Sequence, residues 1–280
     1  MRSRRNVENP AWLLDDVSDA LRSLPGARAL YTFGSLADGD GDNYSDLDLR
    51  LLTGDVHLSL ASRYAVLGRV RPIALEWTIE RTDDNWAATI LFDGVSPYHK
   101  LDIDISVIGS GIPADQPGFV RLWQADAQTA DTPPAFTQSN APYSPARGSV
   151  QHFVLGHLLG VTRYLKVRRR GHVFTSWRFA SALIDAMLAL RYMRAFPGER
   201  IDRKLTTGEY LKLDRATDAA AHERFFDRLN LSSPEAMDTS MHGVALKVIA
   251  LGAELTRDAP IPSSLIAQLT DFFDAELRRV

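Results

Sequence analysis

Two stretches of this chain alternate strictly between polar and apolar residues: Asp46-Leu-Asp-Leu-Arg-Leu-Leu52 and Lys100-Leu-Asp-Ile-Asp-Ile-Ser-Val107. Period two marks a β-strand with one wet and one dry face. Residues 73–80 alternate again. The runs 27–33 and 87–92 are short and apolar, so length and flanks make them strands. Residues 10–24 instead place apolar side chains at helical spacing, with Pro10 in the first turn and Pro25-Gly26 as the stop. Gly109 to Pro113 closes this strand-rich part.

The pattern then changes. Residues 124–148 contain four prolines and little periodicity, which predicts a linker or strap. Helical spacing resumes over 150–168, 172–196, 207–213, 216–229, 233–254 and 262–279. Ser233-Pro234 supplies an N-cap and a proline at the first helical position. The expected organisation is an α/β domain over 1–123, a linker over 124–148 and a helical domain over 149–280.

Composition narrows the chemistry. The chain has 280 residues, of which 45% are hydrophobic, enough to bury a core in each half. Its formal net charge of −3 gives no global attraction to nucleic acid or an anionic membrane. There is no cysteine, so thiolate catalysis and Cys-based zinc sites are excluded, and any metal takes oxygen or imidazole ligands. No secretory signal follows the charged start, and apolar stretches are broken by Arg, Asp or His before a membrane span is reached. The expected location is the cytoplasm.

Candidate chemistry centres on Gly34-Ser35 at the end of the first strand, followed after ten residues by Asp46-Leu-Asp48. Glycine lets a phosphate approach the main chain, and the serine hydroxyl with a helix start would donate to its oxygens. In a strand, residues i and i+2 share a face, so Asp46 and Asp48 stand side by side. Adjacent carboxylates repel unless a cation lies between them, and magnesium takes carboxylate and phosphate oxygens together. Asp102 and Asp104 share a face by the same rule, and either would add a third carboxylate if the two strands are neighbours. Arg50 lies on the same strand face as Asp46 and Asp48, where a salt bridge is the simpler role. Glu76 and Glu80 carry less weight.

This arrangement resembles the DNA-polymerase-β-like nucleotidyltransferase superfamily, in which a hydrophobic-Gly-Ser element precedes Asp-hydrophobic-Asp and a later strand brings a third carboxylate. The matching residues are Gly34, Ser35, Asp46, Asp48 and Asp102, within roughly residues 27–107. In length and organisation the chain is most similar to the antibiotic-modifying branch, the aminoglycoside and lincosamide nucleotidyltransferases. The segment Arg203 to Leu211 is loosely similar to a lysine-containing segment of streptomycin adenylyltransferases, which makes Lys204 a nucleotide-binding candidate.

The resemblance implies an α+β fold: a mixed β-sheet flanked by helices, then an all-α helical bundle. It also implies one or two Mg2+ ions on Asp46, Asp48 and Asp102, with ATP or another nucleoside triphosphate as co-substrate. Gly34 and Ser35 would grip the outer phosphates, and Asp102 or Asp104 would serve as base or substrate contact. The expected reaction moves a nucleoside monophosphate, AMP first, to a hydroxyl of a small molecule. Two other readings compete: transfer to a protein or a tRNA end, as in toxin–antitoxin pairs, and nucleotide binding without catalysis. A homodimer is left open.

The remaining signals are weaker. Asp38 to Asn43 begins like a calcium loop, but Asn43 stands where glycine is needed and Leu49 where glutamate is needed. The basic run ending in Arg168-Arg-Arg170 suits a helix C-terminus, with triphosphate contact as the rival role. His152, His157 and His172 are too scattered for a zinc motif. Trp177, Asp185 and Tyr192 fit helix packing as well as an acceptor pocket.

Overall fold

The structure is a computed structural model, and it describes residues 11–109, 118–125, 141–199, 204–217 and 229–277. The chain divides into two compact units, Met1–Pro145 and Ala146–Val280. It is an α+β protein, with a mixed six-stranded sheet first and a helical region after it.

The first unit opens with helix α1 (Ala11–Arg22) and strand β1 (Ala27–Phe33), which ends in a single 3-10 turn over Gly34–Leu36. Strand β2 (Leu47–Thr53) and helix α2 (Val56–Val70) come next, then strands β3 (Ile73–Arg81), β4 (Asn85–Phe92), β5 (Leu101–Val107) and β6 (Phe119–Gln124). The sheet order is β3-β4-β5-β2-β1-β6. Only β2 and β5, the central pair, run parallel.

Alternation decides which face is dry. Leu47, Leu49 and Leu51 of β2, Leu101, Ile103 and Ile105 of β5, and Trp86, Ala88 and Ile90 of β4 form one buried layer. Against it pack Leu13, Val17 and Leu21 of α1 and Val56, Leu60, Val66 and Leu67 of α2. Truncating one such leucine to alanine costs about 2–5 kcal/mol. The residues between them, Asp48, Arg50, Asp102 and Asp104, therefore stand on the opposite face.

Two elements have no counterpart in the sequence pattern. Helix α2 is capped by Asp55, whose side chain accepts from the Leu58 N–H at 3.0 Å. Its apolar stripe breaks at Arg63, which reaches across to Glu76 of β3 with bonds of 2.8 and 3.0 Å. Strand β6 comes after the glycine-rich stretch at 109–113 expected to end the series, and pairs antiparallel with β1. It is a half-exposed edge strand, and its sequence does not alternate. Most of the expected linker, 126–140, lies outside the described residues. Near its end, Tyr143 bridges to Leu75, and its carbonyl accepts from the Glu76 N–H at 3.0 Å.

The second unit contains α3 (Val150–Arg169), α4 (Val173–Ala195), α5 (Thr207–Ala216), α6 (Pro234–Leu255) and α7 (Ser263–Leu277). The expected helix over 216–229 falls almost wholly outside the described residues. Ser233 caps α6 as anticipated, accepting from the Ala236 N–H at 3.2 Å with Pro234 in the first turn. At Gly252 of α6 an added Cβ would stand 2.9 Å from Val154, so glycine permits the close approach of α6 to α3. Helix α4 carries Arg178 and Asp185 within its apolar length. It is continuous over 23 residues and long and apolar enough to cross a membrane by length and composition. Here it packs against α3 and α6, and Leu183, Met187 and Leu190 are among its buried residues.

Candidate metal centre

The parallel register of β2 and β5 builds the site. Asp48 lies opposite Asp102, and Arg50 opposite Asp104. Asp46 sits one residue before β2, on the same face as Asp48. Its neighbour Leu47 donates its N–H to the Lys100 carbonyl at 2.9 Å, which fixes the start of the ladder. One oxygen from each of Asp46, Asp48 and Asp102 lies within 4.8 Å of the others. The structure thus brings together the three carboxylates singled out in the sequence.

Asp104 is not part of this group. It stands one pleat further along β5, about 6.6 Å from Asp102 by strand geometry. Its Oδ2 accepts from Arg50 Nη2 at 3.1 Å and its Oδ1 from Ser106 Oγ. The Arg50 guanidinium also lies 4.8 Å from the centroid of the Phe119 ring and 5.9 Å from that of Phe33. Asp104 is therefore half of a salt bridge on an aromatic platform. Glu76 is likewise committed, to Arg63, on the side of the sheet packed by α2.

Sequence reasoning did not assign Lys100. Its side chain is only 2% exposed, and its Nζ donates to Asp46 Oδ2 at 2.8 Å and to Asp102 Oδ2. An ammonium buried without partners costs several kcal/mol, so these two carboxylates are what holds it there. Burial alone would push its pKa down. Asp102 and Asp46 outweigh burial and hold it above the ordinary lysine value. The other Asp102 oxygen, Oδ1, accepts from Thr89 Oγ1 on β4. The signal for Lys100 was parity, because positions 100, 102 and 104 fall on one strand face.

The glycine-serine turn adjoins the triad. Gly34 has φ +66, and a Cβ placed there would stand 2.6 Å from Asp48 Oδ2. Glycine is required both for the backbone angle and for the space beside the carboxylate. Ser35 Oγ donates to Ser45 Oγ at 3.0 Å, which ties the turn to the residue before Asp46. Gly34 opens a single 3-10 turn rather than the expected α-helix, so no helix macrodipole stands behind it.

The acidic loop at 38–43 is anchored rather than calcium-like. Asp42 Oδ1 accepts from the Tyr44 N–H at 3.0 Å and from Ser45 Oγ at 3.1 Å. The His99 ring bonds the Asn43 carbonyl at 3.0 Å, and since a carbonyl only accepts, Nε2 carries the proton. Burial lowers the His99 pKa, with the Asn43 carbonyl and the Asp46 and Asp42 carboxylates pulling the other way.

Lys204 belongs to the second unit, where it pairs with Asp185 of α4 at 3.2 Å. Asp185 also accepts from Tyr210 at 3.2 Å, and Tyr192 donates to Glu199. Two arginines of the basic run at the end of α3 are paired inside its unit, Arg168 with Asp238 and Arg169 with Glu276, each at 3.2 Å.

The donor set suits a hard divalent cation. It is all carboxylate oxygen, and the Gly34 cradle keeps space beside Asp48. Opposite ligands on Mg2+ lie about 4.2 Å apart, at about 2.1 Å per bond. The three ligand oxygens lie within 4.8 Å of one another, on the scale of one ion's ligand shell.

No protein-family model matches the chain, and no curated protein matches it. Among solved structures, a candidate nucleotidyltransferase from H. pylori aligns over 88% of this chain and 96% of its own at 12% identity. Its TM-score is 0.21, too low to carry an argument about fold or function.

Proposed function

We propose that this chain is a metal-dependent nucleotidyltransferase that moves a nucleoside monophosphate, AMP in the first instance, from a nucleoside triphosphate to a hydroxyl of a small molecule. The observation that supports it is the convergence of Asp46, Asp48 and Asp102 within 4.8 Å, beside a Gly34-Ser35 turn whose missing side chain lets Asp48 pack against the main chain.

Asp46, Asp48 and Asp102 would hold Mg2+, which when bound neutralises phosphate charge and stabilises in-line displacement at the α-phosphorus. Gly34 lets the triphosphate approach the main chain, and Ser35 offers its hydroxyl. The acceptor oxygen forms a bond to the α-phosphorus as the bond to the bridging oxygen breaks, and pyrophosphate leaves with that electron pair. Asp102 is engaged by Lys100 and Thr89, and Asp104 by Arg50 and Ser106. The proposal therefore sends the hydroxyl proton to water and makes neither aspartate the base.

Aminoglycosides and lincosamides are the acceptors to try first. The test is incubation with labelled ATP, Mg2+ and a panel of these compounds, following pyrophosphate release and label on the acceptor. Label on protein or RNA instead would redirect the proposal to a macromolecular acceptor. No pyrophosphate with any acceptor would sink it.

A further inference from the structure

Lys100 has a consequence for how much metal the site holds. Before nucleotide binds, three carboxylates and one ammonium leave two net negative charges at the centre, and one divalent cation neutralises them. A second would add positive charge beside an ammonium that is 2% exposed. The backbone that carries it is pinned at this point. The Lys100 carbonyl is bound by the Leu47 N–H at 2.9 Å, and the preceding residue, His99, is held by Asn43 at 3.0 Å. Asp102 accepts one hydrogen bond on each oxygen, Oδ2 from Lys100 and Oδ1 from Thr89, which leaves it a lone pair for one ion but gives its Asp46-facing side to Nζ. A second ion bridging Asp46 and Asp102 would need the place that Nζ already holds.

We infer that the Lys100 ammonium takes the place of a second metal ion: it bridges Asp46 and Asp102 permanently, and the centre binds a single divalent cation. Lys100 is on this view a positioning residue. It keeps the two carboxylates together before metal and nucleotide arrive, and limits the site to one ion. The inference rests on the metal-dependent reading above, but its test does not depend on an acceptor.

The experiment is a Mn2+ titration of the full chain by electron paramagnetic resonance, with and without a non-hydrolysable ATP analogue. It compares the native protein with Lys100→Met and Lys100→Arg. The native chain and Lys100→Arg should each bind one Mn2+, and Lys100→Met two. A thermal melt in EDTA provides a second readout. Losing the buried cation should lower the melting temperature of Lys100→Met by about 10 °C, and Mn2+ should raise it by more than it raises the native melt, because two ions bind instead of one. Two ions on the native chain, or one on both the native chain and Lys100→Met, would overturn the inference. The native stoichiometry decides alone if Lys100→Met does not fold. One ion without any nucleotidyl transfer leaves this inference standing and removes the proposed reaction; two ions with transfer does the reverse. No bound ion overturns the inference, and the transfer assay then judges the reaction separately.

Discussion

Asp48 and Asp102 face each other directly across the central parallel pair of strands. They lie 54 positions apart in the chain, and only this register makes them neighbours. A slip of one residue would place Asp48 against Leu101 or Ile103 and turn one acidic row into the core. The packing of Leu47, Leu49 and Leu51 with Leu101, Ile103 and Ile105 guards against that slip. The same leucines and isoleucines that stabilise the unit thus also align the carboxylates.

If Asp48 binds metal and Asp104 does not, their amide variants should separate. Asp48→Asn should lower nucleotidyl transfer by about 10^3-fold, the effect of losing several kcal/mol of metal-borne stabilisation. Its melting temperature should not fall, because the change relieves repulsion among three carboxylates. Asp104→Asn should lower transfer less than about tenfold per folded molecule. It should instead destabilise the fold by about 2–3 kcal/mol, since it disrupts a mostly buried pair with Arg50. Steady-state transfer rates and urea melts on both variants check this, and equal losses of transfer would contradict the exclusion of Asp104 from the metal centre.

Gly34→Ala should damage the site through shape alone. The left-handed backbone costs a non-glycine residue about 1–2 kcal/mol, and the new methyl would press on Asp48 Oδ2. The expected outcome is a stability loss of that size together with a rise in KM for the nucleotide. Gly39 also has positive φ, but an added Cβ there meets nothing within 4 Å. Gly39→Ala should therefore show the stability loss without the change in KM, which isolates the steric effect in the transfer assay.

The basic run at the end of α3 gives a prediction of the opposite kind. Arg168 is held by Asp238, which also accepts from the buried Tyr164 hydroxyl at 2.6 Å. Arg168→Met leaves Asp238 with half its partners. The fold should lose about 3 kcal/mol, while KM for the nucleoside triphosphate stays within about twofold of native. A large rise in KM with unchanged stability would restore the triphosphate-binding role to this arginine.

The acidic rows were legible in the sequence because strand periodicity sorts Asp46 and Asp48, and Asp102 and Asp104, onto single faces. Strand pairing was not, since nothing local to 46–52 or 100–107 states that these strands are parallel neighbours. That is why Asp102 and Asp104 remained rivals until register placed one opposite Asp48 and the other opposite Arg50. Helix α2 escaped because its middle turn spends Arg63 on an ion pair with Glu76 instead of adding to an apolar stripe. Lys100 escaped because a lysine beside a strand is ordinarily a solvated charge, and only tertiary structure shows it buried between two carboxylates.

Burial of His157 makes the helical unit sensitive to acid. It lies on α3 with its ring edge-to-face on Phe153 at 4.2 Å, and its Nε2 is buried without a hydrogen-bond partner. Burial lowers its pKa from 6.5 to about 4. Between those two values the unfolded chain takes up a proton that the folded chain refuses. Stability therefore falls as pH drops through this window and levels off below it, as far as this group is concerned. A shift of this size corresponds to at most about 3 kcal/mol. His157→Leu removes both the titration and the unsatisfied nitrogen. Urea melts at about pH 7 and about pH 4.5 should show the native protein losing about 2 kcal/mol more than the variant, and parallel losses in the two proteins would assign the acid sensitivity to other groups.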